Sequence, residues 1–381
     1  MEVFDIIIIG AGIAGASVAA QVSDQARVLL LEKEERPGYH ATGRSAAAYI
    51  PSYGSDNAAL RLLTAASRAF LKEPPHSFQV PSIMRQRGLL TLYPTGSEAN
   101  LNLDWQVLRQ QFSGITRVET DFIRQQIPAV RDEYASAGLY ESDVYDLDVH
   151  ALHEGYLRTL KAQGGKLITR VTVDQIISSG NGWQVNTSTA SYSAPLLVNA
   201  AGAWADDVAA LAGVSCVGLV PKRRTAILVE PPQGCDVAEW PLVMSSTGSF
   251  YFKPDAGLLL VSPADEHATV PCDAQPEELD IAYAVDFAEQ ALDLRVKQVK
   301  HSWAGLRSFV EDSTPVIGFA PNANGFFWLA GQGGHGIQTA PATARLAASL
   351  LLAQGLPDDL QHLGFDPAWV SPTRLLNAQL L

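Results

Sequence analysis

The chain has 381 residues, of which 47% are hydrophobic and 18% charged, enough for two domains with sizeable cores and too apolar for a disordered chain. Its formal charge of −13 argues against a general nucleic-acid or anionic-membrane surface, because binding to phosphates relies on clustered Lys and Arg. Cys216, Cys235 and Cys272 are an odd, scattered set without CxxC spacing; they argue against a disulfide framework or a zinc site and point to a reducing, cytoplasmic compartment.

Residues 3–9 form an apolar run rich in β-branched residues and broken only by Asp5, which predicts a strand buried on both faces of a parallel sheet. Gly10-Ala11-Gly12-Ile13-Ala14-Gly15 follows at once. The first glycine permits a tight turn, the second lets the backbone approach a pyrophosphate, and the third lets the next helix pack on the strand. Free N–H groups and the positive dipole end at that helix start hold phosphates. The helix continues over 17–23, and 27–31 reads as a second strand ending in Glu32, whose carboxylate suits a ribose hydroxyl. The apolar start lacks the basic leading region of a signal peptide. No other stretch reaches the roughly 18 uncharged apolar residues of a membrane span.

Further along, 58–71 has apolar residues at helical spacing and is stopped by Pro74-Pro75. Residues 87–93 read as a strand and 149–163 as an amphipathic helix. The turn Gly164-Gly165 leads into strand candidates over 166–177 and 182–187. A short buried strand over 196–199 runs into Ala200-Ala201-Gly202-Ala203-Trp204. Residues 250–253 and 257–262 pair as a hairpin around Pro254-Asp255. A strand over 325–330 leads through Gly331-Gln332-Gly333-Gly334-His335-Gly336 into an Ala-rich helix ending near 352, offering a second helix N-terminus to the dinucleotide cofactor that the first glycines and Glu32 imply. His150, His153 and Glu154 lack an HExxH pattern and a third ligand, and read as partly exposed helix surface; no metal is expected.

These motifs, with Ala41-Thr42-Gly43-Arg44-Ser45 and the run 331–339, resemble the FAD-dependent D-amino-acid oxidase (DAO) superfamily, which includes glycine and sarcosine oxidases. Pro37-Gly38-Tyr39-His40, Pro221-Lys222-Arg223-Arg224, Phe250-Tyr251 with Lys253-Pro254-Asp255, and residues 303–309 are similar to D-arginine dehydrogenase and its bacterial relatives. The resemblance implies an α/β fold: a Rossmann-like FAD-binding domain from 1–78, 143–212 and 303–381, with a mixed-sheet α+β substrate domain from 79–142 and 213–302. It implies noncovalent FAD, since no cysteine follows Cys272. Its expected contacts are Gly10, Gly12, Ile13, Ala14, Gly15, Glu32, Lys33, Thr42, Gly43, Arg44, Ser45, Ala46, Ala47, Val173, Ala200, Ala201, Gly202, Trp204, Arg307, Gly333, Gly334, His335, Gly336, Ile337 and Gln338.

The same resemblance assigns Arg224 and Arg307 to the substrate carboxylate, which a guanidinium fork matches in two hydrogen bonds, and Tyr53 and Tyr251 to hydroxyls closing over the substrate. His335 faces the flavin as a pocket wall, where an imidazole would tune proton transfer near neutral pH. Leu89 stands where relatives acting on basic D-amino acids place a carboxylate, with Ala48 and Ile50 where polar pocket residues would lie. An unpaired ammonium beside Leu89 is costly, while each buried methylene gains roughly 0.8 kcal/mol; the expectation is a neutral, apolar D-amino acid. Gly257 to Ser262 lacks the lysine that helps oxygen react in sarcosine-oxidase-like members, so the expectation is a dehydrogenase, cytoplasmic or peripheral to the inner membrane, passing electrons to a quinone rather than O2. Oxidation of glycine, or of sarcosine, proline or another secondary amine, stands as the alternative. An RNA-modifying flavoprotein and a noncatalytic one are the remaining readings.

Overall fold

The apolar run at the start of the chain divides at Asp5. In the computed structural model, which describes residues 1–180 and 182–376, Glu2–Val3 pairs parallel with Ser191–Ala194, whereas Ile6–Ile9 enters a different sheet. The single strand expected over 3–9 is therefore two. Phe4 donates its N–H to Ser193 O and the Asp5 carboxylate accepts the Arg27 N–H, so the chain changes sheets between them.

Six strands form the first sheet, in the order Lys166–Ile168, Val28–Leu31, Ile6–Ile9, Leu196–Asn199, Phe326–Ala330 and Val316–Phe319. All neighbours are parallel except the last pair. Every residue of Ile6–Ile9 and Val28–Leu31 is buried, as a sheet covered on both faces requires. On one face Val18, Leu63 and Leu346, from the helices Ile13–Val22, Ala58–Lys72 and Gly336–Leu351, pack on Ile6, Ile8 and Leu30. On the other, Ile7, Leu29 and Trp328 meet Ile176, Trp183 and Val185 of a four-stranded sheet. The strand candidates over 166–177 resolve into Lys166–Ile168 in the parallel sheet and Val173–Ser179 in the four-stranded one. Between them the chain turns through Arg170 at φ +59, with its N–H and that of Val171 given to Glu34 O and Glu32 O.

A nine-stranded sheet holds His267–Ala268, Val220–Val229, Leu258–Ser262, Tyr251–Asp255, Leu242–Ser245, Leu89–Tyr93, Ala137–Glu141 and Ile115–Glu119 in that order, with Val299–Phe309 pairing along Val220–Val229. The helix Glu278–Ala291 covers one face, setting Ala284, Ala288 and Ala291 among Ile227, Phe252, Leu259 and Val261. Val299–Phe309 runs straight through residue 303, the expected domain border, and lies whole in this sheet.

Two local expectations change. The hairpin turn falls at Ala256-Gly257, with φ +49 and +82, because a two-residue turn that follows the strand twist needs both central residues at positive φ; Pro254 and Asp255 stay in the strand. The strand expected over 87–93 starts at Leu89, since Arg87 and Gly88 both give their N–H to Val144 O.

Among the described glycines, Gly15 makes the tightest approach, against Gly10. A Cβ on Gly15 would lie 1.8 Å from Gly10 O, and one on Gly10, at φ +101, 2.4 Å from Ala200 O. Gly15→Ala is expected to cost at least about 3 kcal/mol, the upper range for overpacking, and to abolish cofactor retention. Thermal midpoint and flavin absorbance per mole of purified protein check this; a flavin-loaded variant of native stability would refute it.

Candidate active site

The parallel strands Ile6–Ile9, Val28–Leu31, Leu196–Asn199 and Phe326–Ala330 all deliver their carboxyl ends to one cavity, where open α/β sheets hold ligands. At one end its walls are Glu32, Lys33, Val173, Ala200, Ala201, Gly202 and Trp204. Gly10, Gly12, Ile13, Ala14, Thr42, Arg44, Ser45 and Ala46 line the middle, and Arg224, Tyr251, Arg307, Gly333, Gly334, Gly336 and Ile337 the far end. The expected residues Gly15, Gly43, Ala47, Ala48, Ile50, Tyr53, Leu89, His335 and Gln338 are not on this wall. Gly15 packs on Gly10, and Gly43 gives its N–H to Gly38 O. Ala47 O accepts from Leu147 N. Gln338 is buried, its Oε1 accepting from Ile50 N and its Nε2 donating to Thr64 Oγ1.

Gly12, Thr42 and Arg44 present groups of the kind that hold phosphates. Gly12 caps the helix Ile13–Val22 without a side chain, and Thr42 Oγ1 accepts the Ile13 N–H at 2.9 Å. The helix's positive end is thus turned to the cavity with no acid of its own in the first turn. Arg44 adds a guanidinium anchored on Ala274 O, Ala304 O and Asp273. Glu32, buried on the wall, accepts Ala11 N at 2.8 Å and Glu34 N at 2.9 Å, which orients its carboxylate for a diol. The Lys33 ammonium lies 3.3 Å from the Trp204 ring centroid.

His153, expected on an exposed helix surface, is buried and belongs to this site. Its Nε2 lies 2.9 Å from Ala11 O, and a carbonyl only accepts, so Nε2 carries the proton. Burial holds the ring's pKa below its ordinary value, which keeps it a neutral donor bracing the glycine turn. Nothing in the local sequence distinguished this histidine from His150; the fold alone brings residue 11 against it.

At the far end, Arg307 donates from Nη1 to the Tyr53 hydroxyl at 3.3 Å. Burial opposes the charge on Arg307, but Tyr53, Tyr251 and Glu266 outweigh it and raise its pKa. Burial likewise acts to raise the Tyr251 phenol, yet Arg307 and Arg224 bring it below its usual value. The Arg224 guanidinium carbon sits 5.9 Å from the Tyr251 ring centroid. A Cβ on Gly334 would meet the Tyr53 hydroxyl at 2.8 Å and Arg307 Nη1 at 3.1 Å, so the glycine keeps open the space before both groups.

His335 is corrected in two respects. Its ring stacks on Tyr53 at 4.4 Å, behind the wall, with Nε2 buried and unpartnered. Burial, then Arg307, lowers its pKa to about 4, so it does not titrate near neutral pH.

Ala48, Ile50 and Leu89 do come together, in one apolar cluster with Val144, Leu242, Tyr53 and Tyr251. Two polar features that sequence reading missed border it. Arg87 Nε and Lys253 Nζ bind the two oxygens of Asp146 at 2.7 and 2.8 Å, in a buried network two strand positions from Tyr251. Glu141 pairs directly across from Leu89 and binds Ser52 through its N–H and hydroxyl. Burial raises its carboxyl to about 7.

The residues 5–350 match the family model described as FAD dependent oxidoreductase. The chain is 24% identical over 389 residues to the glycine oxidase of Geobacillus kaustophilus, covering 97% of both chains. Its crystal structure superposes with a TM-score of 0.84 at 23% identity, over 98% of this chain and 99% of that one. The bovine FAD-dependent oxidoreductase domain-containing protein 1 is 24% identical over 407 residues, 91% of this chain and 81% of its own. The structure of L-proline dehydrogenase from P. horikoshii covers 99% of each chain, with a TM-score of 0.80 and 20% identity. FAD fits the wall described above: an acid for ribose, a helix end without an acid for pyrophosphate, and an open glycine junction before the paired arginines.

Two outcomes follow from this geometry. Losing the His153 donor is expected to weaken FAD binding roughly 10-fold, about 1.4 kcal/mol for a buried hydrogen bond; FAD titration of deflavinated His153→Phe against wild type measures it, and equal affinity would contradict the bracing role. For Glu141 the folded pKa, about 7, exceeds the ordinary 4.5, so the folded state binds more protons between those values and stability falls as pH rises through them. Glu141→Gln removes that fall, an advantage over wild type of up to about 3 kcal/mol at pH 8 compared with pH 4.5. Parallel melting-temperature profiles of the two proteins would rule this out.

Proposed function

We propose, from the premise that this chain belongs to the FAD dependent oxidoreductase family, that it oxidises a free amino acid, by preference a neutral, apolar D-amino acid. The product is an imino acid, which water hydrolyses to a 2-oxo acid and ammonia. The observation that carries this reading is that Arg224, Tyr251 and Arg307 line one cavity with Glu32, with Arg307 donating to the Tyr53 hydroxyl.

Bound FAD supplies the acceptor for the Cα hydrogen and its electron pair. The chain's own residues hold and orient the substrate. Two guanidiniums suit one carboxylate, each offering paired donors in a plane. Neither His335, held near 4, nor Glu141, tied to Ser52, stands as a base on the cavity wall. The site therefore selects the amine already deprotonated and aims the Cα–H.

The side-chain preference rests on Ala48, Ile50 and Leu89, whose cluster gains about 0.8 kcal/mol per buried methylene. Behind it, Arg87 and Lys253 share the single carboxylate of Asp146. We read the enzyme as a cytoplasmic dehydrogenase serving a quinone. Lys253, the buried lysine among the described residues, is committed to Asp146, and Gly257 to Ser262 supplies none. A second reading, oxidation of glycine or a secondary amine, is favoured by the likeness to glycine oxidase and L-proline dehydrogenase.

Anaerobic bleaching of the flavin-loaded protein by D- and L-amino acids, glycine, sarcosine and proline separates these readings. D-leucine is expected to bleach at least 10-fold faster than D-arginine, with slow reoxidation when oxygen is admitted. Equal rates for those two would remove the apolar preference, and bleaching by glycine or secondary amines alone would favour the second reading. Stoichiometric peroxide formed at the rate of turnover would make the protein an oxidase.

A further inference from the structure

The two arginines at the end of the cavity are not equivalent. Arg307 has one hydrogen-bond partner among the described residues, the neutral Tyr53 hydroxyl, and no carboxylate within ion-pair distance. Arg224 is already engaged. Its Nε donates to Asp265 O at 2.8 Å and its Nη2 to Glu266 Oε1 at 2.9 Å. The other Glu266 oxygen lies 3.3 Å from Lys222 Nζ. The Glu266 side chain is 43% exposed, against 13% for Arg224. A carboxylate on a solvent-facing segment thus reaches inward to a mostly buried guanidinium.

We propose that Glu266 is a built-in competitor for the substrate's carboxylate site: it occupies Arg224 in the ligand-free protein, and an incoming carboxylate docks on the open Arg307 and then displaces Glu266 from Arg224. This rests on the reading of Arg224 and Arg307 as the carboxylate clamp. The physical basis is that two carboxylates cannot share one guanidinium edge without repulsion, and that a charge-assisted hydrogen bond already made lowers the net gain from a new one. The Asp265 carbonyl keeps Arg224 in place during the exchange, since it holds Nε rather than Nη2. Asp265 itself is anchored by accepting Thr225 N at 2.6 Å. The competitor acts equally on the way out: the 2-oxo acid carries the same carboxylate, and Glu266 returning to Arg224 assists its release. Glu266 is thus a positioning residue that sets affinity and release without touching the reacting atoms.

The test uses the flavin-loaded protein and its Glu266→Gln variant. Binding of a short aliphatic carboxylate without an amine, and of the matching carboxamide, is followed by perturbation of the flavin spectrum at fixed ionic strength. Glu266→Gln is expected to bind the carboxylate about 10-fold more tightly and the carboxamide unchanged. It should lower KM and the product inhibition constant by a similar factor while kcat falls, and Glu266→Asp should lie between. Unchanged or weaker carboxylate binding by the folded variant overturns the proposal, as does an equal gain for the carboxamide. Arg224→Gln and Arg307→Gln distinguish the layers. If both lose the carboxylate while Glu266→Gln gains nothing, the competitor alone is wrong; if neither loses it, the clamp and the competitor fall together.

Discussion

The structure depends on one close approach: the glycine turn after Ile6–Ile9 wedged between its own helix and the backbone at Ala200. Gly10 and Gly15 leave no room for a Cβ there, so the helix Ile13–Val22 starts directly over the strand ends. That contact places the helix's positive pole on the cavity, and the parallel pairing of Leu196–Asn199 with Ile6–Ile9 brings Ala200 to Gly202 alongside it. Glu32 and His153 then hold the turn from two sides, one accepting the Ala11 N–H and the other donating to the Ala11 carbonyl. A single residue of the loop is thus satisfied by side chains 21 and 142 positions away.

The far end of the cavity works by charge rather than by steric fit. Arg307 stays cationic in a buried place because tyrosine hydroxyls and Glu266 favour it more than burial disfavours it. Burial drives His335 and Glu141 toward neutrality, while Arg307 and Arg224 lower the Tyr251 phenol against its burial. The cations thereby face the cavity with little internal competition except at Arg224, where Glu266 is engaged. Away from the cavity, Arg223 sits among Glu277, Asp280 and His267, so the cluster Asp265, His267 and Asp280 is centred on a guanidinium.

Much of the cofactor half was legible because its signals are local. Strand, glycines, helix, strand and acid follow each other within 32 residues, and each has a geometric reason for its place. Helices announced by an apolar stripe and a stop, such as Ala58–Lys72, were found within a residue. The helix Glu98–Gln111 was missed, and it buries only Leu101. The border of residues 3–9 was missed because a hydrophobic run does not show where it leaves one sheet for another; the Asp5 contact that decides this comes from Arg27.

What the chain determined by itself was the candidate cofactor site and the inventory of arginines, tyrosines and apolar residues set beside it, since residue type and short spacing dictate turn geometry and the charge a group carries. Tertiary structure decided which of these groups meet. It buried His153 under the glycine turn, set Glu141 across a strand from Leu89, turned His335 onto Tyr53, and gave Arg224 a carboxylate while leaving Arg307 without one. The physical reason is range. Backbone propensity acts over a few residues, whereas burial and Coulomb interactions depend on distance through space, and chain closure brings residues 224 and 266, or 11 and 153, into contact without any mark in the sequence between them.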